Sequence, residues 1–182
     1  LKNSIDYNLE KNLLSLNYDK YSITQNTKFL FYSNILISKG IDLYLDLFDK
    51  NQKLNPFNSS IAGYPNNKRM VKYALSKNHN YLGYIDDLNK VNLFLNNQCL
   101  IFPSLNEGAP LVILEAMASG VFIISTNVGF IPELLGEDYP FMCSPNINEL
   151  SILVNKFLEL SSSQKIEIIS NLRKRYINLF SF

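Results

Sequence analysis

From Lys28 onward the chain alternates short apolar runs with stretches whose apolar residues recur every three or four positions. That alternation is the pattern of strands and helices wound into a parallel sheet. Lys28–Ser33 (KFLFYS) reads as a first strand, and Ile41, Tyr44, Leu45 and Phe48 then mark one face of a helix. Strands follow at Ser59–Gly63 and Tyr81–Ile85, with short helices over Lys68–Leu75 and Leu88–Asn96. Cys99–Phe102 and Phe122–Ser125 are continuous and apolar, as strands buried on both faces are. Between them a helix starts at Pro110 and ends at Gly120, the residue type that takes a left-handed helix-closing conformation at least cost. Asn146 and Glu149 fit a capping box for a helix carrying Leu150, Leu153, Val154 and Phe157. After Ser161–Ser163, a last amphipathic helix holds Ile166, Ile169, Tyr176, Ile177 and Phe180. The expected fold is a three-layer α/β domain with a mostly parallel sheet of about six strands. Residues 1–27 are rich in Asn, Asp, Lys and Ser without a sustained period, and read as an interdomain linker or edge segment; residues 28–182 are the expected domain.

Charge narrows the ligands. Seventeen Lys and Arg against sixteen Asp and Glu leave a net charge of +1, so no global field recruits nucleic acid and an anionic ligand must be held by local groups. Polar residues and Gly break every apolar stretch before the roughly 18 residues of a membrane span, and the N-terminus lacks the regions of a secretory signal. A cytoplasmic location is expected, and Leu1 in place of Met predicts a piece of a longer protein. Cys99 and Cys143 have no CxxC spacing and His79 is the one imidazole, so a zinc site is unsupported and both thiols are expected to be buried and inert. His79, in a polar Lys-Asn-His-Asn stretch, is expected at the surface. Arg173-Lys174-Arg175 reads as a solvated helix face, with peripheral contact to an anionic membrane as the alternative.

Phe102–Gly120, FPSLNEGAPLVILEAMASG, carries the chemistry. It leaves the carboxyl end of a strand, where open α/β sheets bind ligands, and enters a helix N-terminus, whose amides favour a diphosphate. Gly108 and Ala109 keep that approach open. Glu115 is the one charged residue in an otherwise apolar helix, and a buried carboxylate needs a partner. Glu107 stands eight positions earlier, so two carboxylates flank the helix start. They suit gripping both ends of a sugar-diphosphonucleoside; equally, Glu107 can be a solvated loop acid and Glu115 an acid bonded to backbone or a Lys.

The segment EGAPLVILEAMASG resembles the signature of retaining glycosyltransferase family four, with its two glutamates separated by seven residues, here Glu107 and Glu115. Ser125–Glu133 (STNVGFIPE) resembles its usual continuation, and Tyr81–Ile85 (YLGYI) its strand beside the nucleotide base. Asn3-Ser4-Ile5-Asp6 and Leu179-Phe180-Ser181-Phe182 extend the likeness towards both ends. The resemblance implies a Rossmann-like C-terminal half of a two-domain GT-B enzyme, whose absent N-terminal domain supplies most of the acceptor site for a glycan or lipid-linked acceptor. It implies that Glu107 contacts the donor sugar, Glu115 the ribose, and the amides around Gly108–Leu111 the diphosphate and sugar, with Ala109 and Pro110 inside that stretch and Val112 beside it among the binding residues. Gly83 and Tyr84 fall beside the base, and Lys39 matches the lysine that neutralises the diphosphate. The donor is a UDP-, GDP- or ADP-sugar, with no metal or other cofactor expected. Two departures stand out: Asn34 replaces a usual Arg, and Phe130 replaces the second of two glycines. Phe130 either narrows the sugar pocket or packs on the missing domain.

Three other readings compete. A GT-B-like nucleotide-sugar epimerase shares such a donor site but calls for more acid/base residues than His79 offers. A catalytically silent nucleotide-sugar-binding module shares it too. A flavodoxin-like phospho-receiver calls for acids where Ser33-Asn34 and Gly83-Tyr84 stand.

Overall fold

Four-residue apolar runs in this chain are too short for helices and too continuous for a half-exposed sheet, and they pair as a central layer covered on both sides. A computed structural model describes residues 5–21 and 27–181. Six parallel strands, β1 (Phe29–Tyr32), β2 (Ser59–Ala62), β3 (Asn80–Gly83), β4 (Cys99–Phe102), β5 (Phe122–Thr126) and β6 (Met142–Cys143), lie in the order β3-β2-β1-β4-β5-β6. The helices are α1 (Tyr7–Leu14), α2 (Ile41–Lys50), α3 (Lys68–Ser76), α4 (Asp87–Leu95), α5 (Leu111–Ser119), α6 (Ile131–Leu135), α7 (Ile147–Glu159) and α8 (Ser162–Leu179).

Alternate strand residues feed two cores. Phe29, Phe31, Ile101, Phe122 and Ile124 meet Tyr44 and Phe48 of α2 and Phe157 of α7. Leu30, Leu100, Phe102 and Ile123 meet Leu13 of α1, Phe94 of α4, Ile113 and Met117 of α5 and Tyr176 of α8. The chain reverses its direction of winding between β1 and β4, and the loops there part to leave a crevice at the strands' carboxyl ends.

The predicted strands over Lys28–Ser33, Ser59–Gly63, Cys99–Phe102 and Phe122–Ser125 are all present, and the third begins at Asn80 rather than Tyr81. The start of the chain, read as a linker or edge segment, holds a helix, α1, among its described residues. Asp6 caps α1 by accepting from the amides of Asn8 and Leu9, and Leu9 and Leu13, one turn apart, are buried with Glu10, whose carboxylate accepts from the Tyr176 hydroxyl at 2.8 Å. Part of this stretch thus belongs to the core. Asn3, Ser4 and Phe182, which take part in the family likeness, lie outside the described residues.

The expectation for His79 is also corrected: it is buried, with Nδ1 2.7 Å from the Ser59 hydroxyl and its ring edge-on to Phe48. Burial holds the imidazole down to about 4, with Lys77 adding to the shift and Asp49 opposing it. An unfolded chain takes up a proton below the ordinary value of 6.5, whereas the fold resists until about 4. The resulting stability is complete above that ordinary value and lost as pH falls between the two, a decline on the order of 2 kcal/mol. Denaturant titrations at pH 7.5 and about 4.5 are expected to show this loss in the native chain and a smaller one in His79→Gln.

The arginines near the C-terminus are likewise not simply solvated. Arg173 donates to the carbonyls of Ala118 and Leu13, and Arg175 to those of Leu134 and Glu133, tying α8 to the ends of α1, α5 and α6; Lys174 is exposed. Both cysteines are buried, and burial pushes the Cys143 thiol up to about 11 and that of Cys99 up as well. Among the described residues no helix is long and apolar enough to cross a membrane.

Candidate functional site

The crevice over β1 and β4 holds about 360 Å³ and is lined by residues from several elements. Tyr32, Ser33 and Asn34 come from the end of β1, Gly63 and Tyr64 from β2, and Tyr84 from β3. Lys90 comes from α4, while Glu107, Pro110, Leu111, Val112 and Glu115 come from the β4–α5 loop and α5. Lys39 reaches in from a short 3-10 turn, Ile37–Lys39, that ends at Gly40 in the left-handed region with φ 73°. Only glycine serves there, because a Cβ would overlap the carbonyl of Pro103 at the end of β4. That close approach sets Lys39 beside the β4–α5 loop: Nζ donates to Glu107 Oε1 at 2.9 Å and to the Asn106 carbonyl at 3.4 Å. The Glu107 side chain is 8% exposed, so it is no solvated loop acid.

Eight residues on, the Glu115 side chain is 4% exposed, and Lys90 Nζ donates to its Oε1 at 2.7 Å. Lys90 also bridges to Asp87 at 2.8 Å, one turn back on its own helix. Burial pushes the Glu115 carboxyl above the usual carboxylate range, against the downward pull of Lys90. Burial works to lower the Lys90 ammonium too, but Asp87 and Glu115 outweigh it and raise its pKa. Tyr32 beside them is raised by burial and by the Glu115 charge.

The crevice therefore has two ammonium–carboxylate pairs. Between them α5 begins at Leu111 after Pro110, with no side chain capping its first turn, so its partial positive charge is available to an anion. At the rim Tyr64 and Tyr84 are exposed with ring centroids 4.8 Å apart.

Of the residues singled out in the sequence, Asn34, Lys39, Tyr84, Glu107, Pro110, Leu111, Val112 and Glu115 converge on this crevice. Gly83, Gly108 and Ala109 do not form its walls. The Gly83 carbonyl is engaged by the Gly63 amide at 2.8 Å, and that of Gly108 by the Phe130 amide at 3.2 Å. Phe130 is exposed and outside the lining of the crevice, with its amide bonded to the loop that carries Glu107. His79 lies in the core under α2, away from the crevice, so the imidazole that an epimerase could use is not at the site. Sequence reasoning missed Lys90, Tyr32 and Tyr64. The one local signal for Lys90 was its three-residue spacing from Asp87; Glu115 is 25 positions away. Among the described residues no group of three or more His, Cys, Asp or Glu is placed to hold a metal ion.

An open parallel sheet with a polar crevice at its switch point, a helix start at the centre and charged pairs on both sides is the arrangement of a Rossmann-like α/β domain. A family model described as glycosyl transferases group 1 matches residues 18–177, and the chain belongs to that family. Among curated relatives it is 28% identical over 124 residues to a phosphatidylinositol N-acetylglucosaminyltransferase subunit of Homo sapiens, covering 65% of this chain and 26% of that protein. It is 34% identical over 87 residues to O-antigen chain mannosyltransferase B of Escherichia coli, covering 47% and 23%. Solved GT-B structures share the fold. Sucrose-phosphate synthase from Thermosynechococcus elongatus superposes with a TM-score of 0.77 at 18% identity over 98% of this chain and 47% of that one. Anabaena HepE in complex with UDP-glucose gives 0.74 at 20% over 98% and 52%. The chain thus spans about a quarter of the length of these curated relatives.

Proposed function

We propose that this chain is the donor-binding half of a retaining glycosyltransferase that moves a sugar from a UDP-, GDP- or ADP-sugar to a glycan or lipid-linked acceptor. The observation that carries the reading is the convergence of Lys39, Glu107, the uncapped start of α5 and Glu115 on one crevice. Family membership supports sugar transfer, and the UDP-glucose complex of HepE supports a nucleotide-linked donor.

In this reading the diphosphate lies against the start of α5, where the Leu111 and Val112 amides and the Lys39 ammonium stabilise charge that grows as the nucleotide leaves. Glu107, held by Lys39, accepts from donor-sugar hydroxyls, and Glu115 accepts from the ribose. Asn34 donates without adding charge, and Tyr84 borders the base. The acceptor hydroxyl attacks from the face that the leaving group vacates, so the anomeric configuration is kept; Glu107 acts by positioning, not as a covalent nucleophile. The acceptor is bound mainly by the N-terminal domain of the longer protein, which works in the cytoplasm, at the membrane surface where the acceptor is lipid-linked.

Calorimetric and saturation-transfer titration of the chain with UDP-, GDP- and ADP-sugars tests the proposal. Saturable binding of one nucleotide class, lost in Glu107→Ala, is the expected result; no binding to any of them removes the donor-site assignment. Release of free nucleotide with sugar transfer by the full-length protein separates an enzyme from a silent binding module.

A further inference from the structure

The geometry points to Lys90 as a positioning residue that, clamped by Asp87, keeps Glu115 charged and aimed for recognition of a vicinal diol. The inference rests on the donor-site reading above and adds to it a residue from another element.

Glu115 stands in an apolar helix with its neighbours Leu114, Ala116, Met117 and Ala118 buried. A carboxylate so placed survives as an ion only where a counter-charge and hydrogen bonds replace water. Lys90 supplies both at 2.7 Å, and its 2.8 Å bridge to Asp87 holds the ammonium over the crevice floor. The groups facing Glu115 from the packed elements are Tyr32 of β1 and Lys90 and Asp87 of α4, with Glu10 of α1 and Tyr176 of α8 behind it. Of these, Lys90 is the cation. Burial favours the protonated form of Glu115, Lys90 opposes it, and the Asp87 charge adds to burial, so Asp87 serves by holding Lys90 and not by acting on Glu115 itself.

The charge state decides what the site can bind. An ionised carboxylate is acceptor-only, and with one oxygen engaged by Lys90 it still has lone pairs for both hydroxyls of a ribose. A protonated one must place its own proton and loses that match. Lys90 thereby makes discrimination between a ribonucleotide and its 2′-deoxy counterpart independent of pH.

The test uses the full-length protein, with UDP, GDP and ADP as probes and the 2′-deoxy form of whichever binds. The native protein is expected to prefer the ribonucleotide by about tenfold, as one charge-assisted hydrogen bond allows, with the same ratio from pH 5.5 to 9. Lys90→Met is expected to show a ratio that collapses towards unity at the acid end and recovers as pH rises and Glu115 ionises. Lys90→Arg keeps the native profile. A double variant, Lys90→Met with Glu115→Gln, relieves the unpaired buried carboxylate and gives a low, pH-flat ratio; circular dichroism establishes that each variant is folded. If Lys90→Met weakens both nucleotides equally at every pH, the inference is overturned while the donor site stands. If the native protein binds none of the three nucleotides, the donor site itself falls, and this inference with it.

Discussion

Lys39→Ala in the full-length protein is expected to lower kcat by about 10²–10³-fold, the effect of removing one preorganised group from a developing oxyanion. The size of the effect follows from how the cations of the crevice are committed. Lys90 already balances two carboxylates, Asp87 and Glu115, and has no charge left for a phosphate. Lys39 has one, Glu107, and its side chain is 26% exposed towards the crevice. Asn34, where the resembled family has Arg, adds no charge. A diphosphate placed as proposed therefore meets one cation of the crevice able to answer it, and that cation also holds Glu107 in a site where the carboxylate is almost fully buried. Lys39→Arg keeps the charge but spreads it over a planar fork, and is expected to recover part of the rate. Glu115→Ala, at the end of the crevice proposed for the nucleoside, is expected to raise KM for the donor while altering sugar preference little. Initial-rate kinetics with a matched acceptor separate the two patterns; equal and mild effects from both substitutions would remove the assigned roles.

The elements that the sequence made legible are those whose local pattern and tertiary environment agree. β4 and β5 are continuous apolar runs and are buried along their whole length. Helix α5 starts after Pro110 and closes at Gly120 in the left-handed region, as its residue types dictate. The elements that were missed depend on contacts distant in sequence. α1 shows only Leu9 and Leu13 on one face among Asn, Lys and Glu, and its place is set by packing against α4 and α5. β6 has two residues, and its pairing with Ser125 and Thr126 has no signature of its own. His79 sits among polar neighbours in the chain yet is turned inward by Ser59 on β2 and Phe48 on α2. At the site, the helix start and both glutamates were readable because one continuous segment, the β4–α5 loop with the first turns of α5, carries them. Lys90 was not, because a Lys near Asp87 on a polar helix face looks solvated until the fold brings Glu115 beneath it.

Gly129→Ala is expected to cost the fold about 2–4 kcal/mol and to shift Tm down by roughly 5–15 °C. Gly129 has φ 57°, in the left-handed region, and a Cβ built there would overlap the backbone carbonyl of Glu107. An alanine must therefore accept an unfavourable backbone conformation and also push away main chain, which cannot yield as a side-chain tip does. The displaced segment is the one that carries Glu107, and it is tied again one residue later, where the Phe130 amide donates to the Gly108 carbonyl. Loss of stability should thus come with weaker donor binding and release of Lys39 from its partner. Gly108→Ala is the discriminating companion, because Gly108 lacks a positive φ and nothing lies within 4 Å of a Cβ placed on it. Its stability should change by no more than about 0.5 kcal/mol. Because Gly108 lies outside the crevice walls, the added methyl is expected to leave donor binding within about twofold of the native value. Thermal melts with and without the bound nucleotide read both quantities together. A Gly129→Ala chain as stable as the native one would contradict the packing of the two loops, and a Gly108→Ala chain destabilised to the same degree would show that the loss does not come from the Gly129–Glu107 contact.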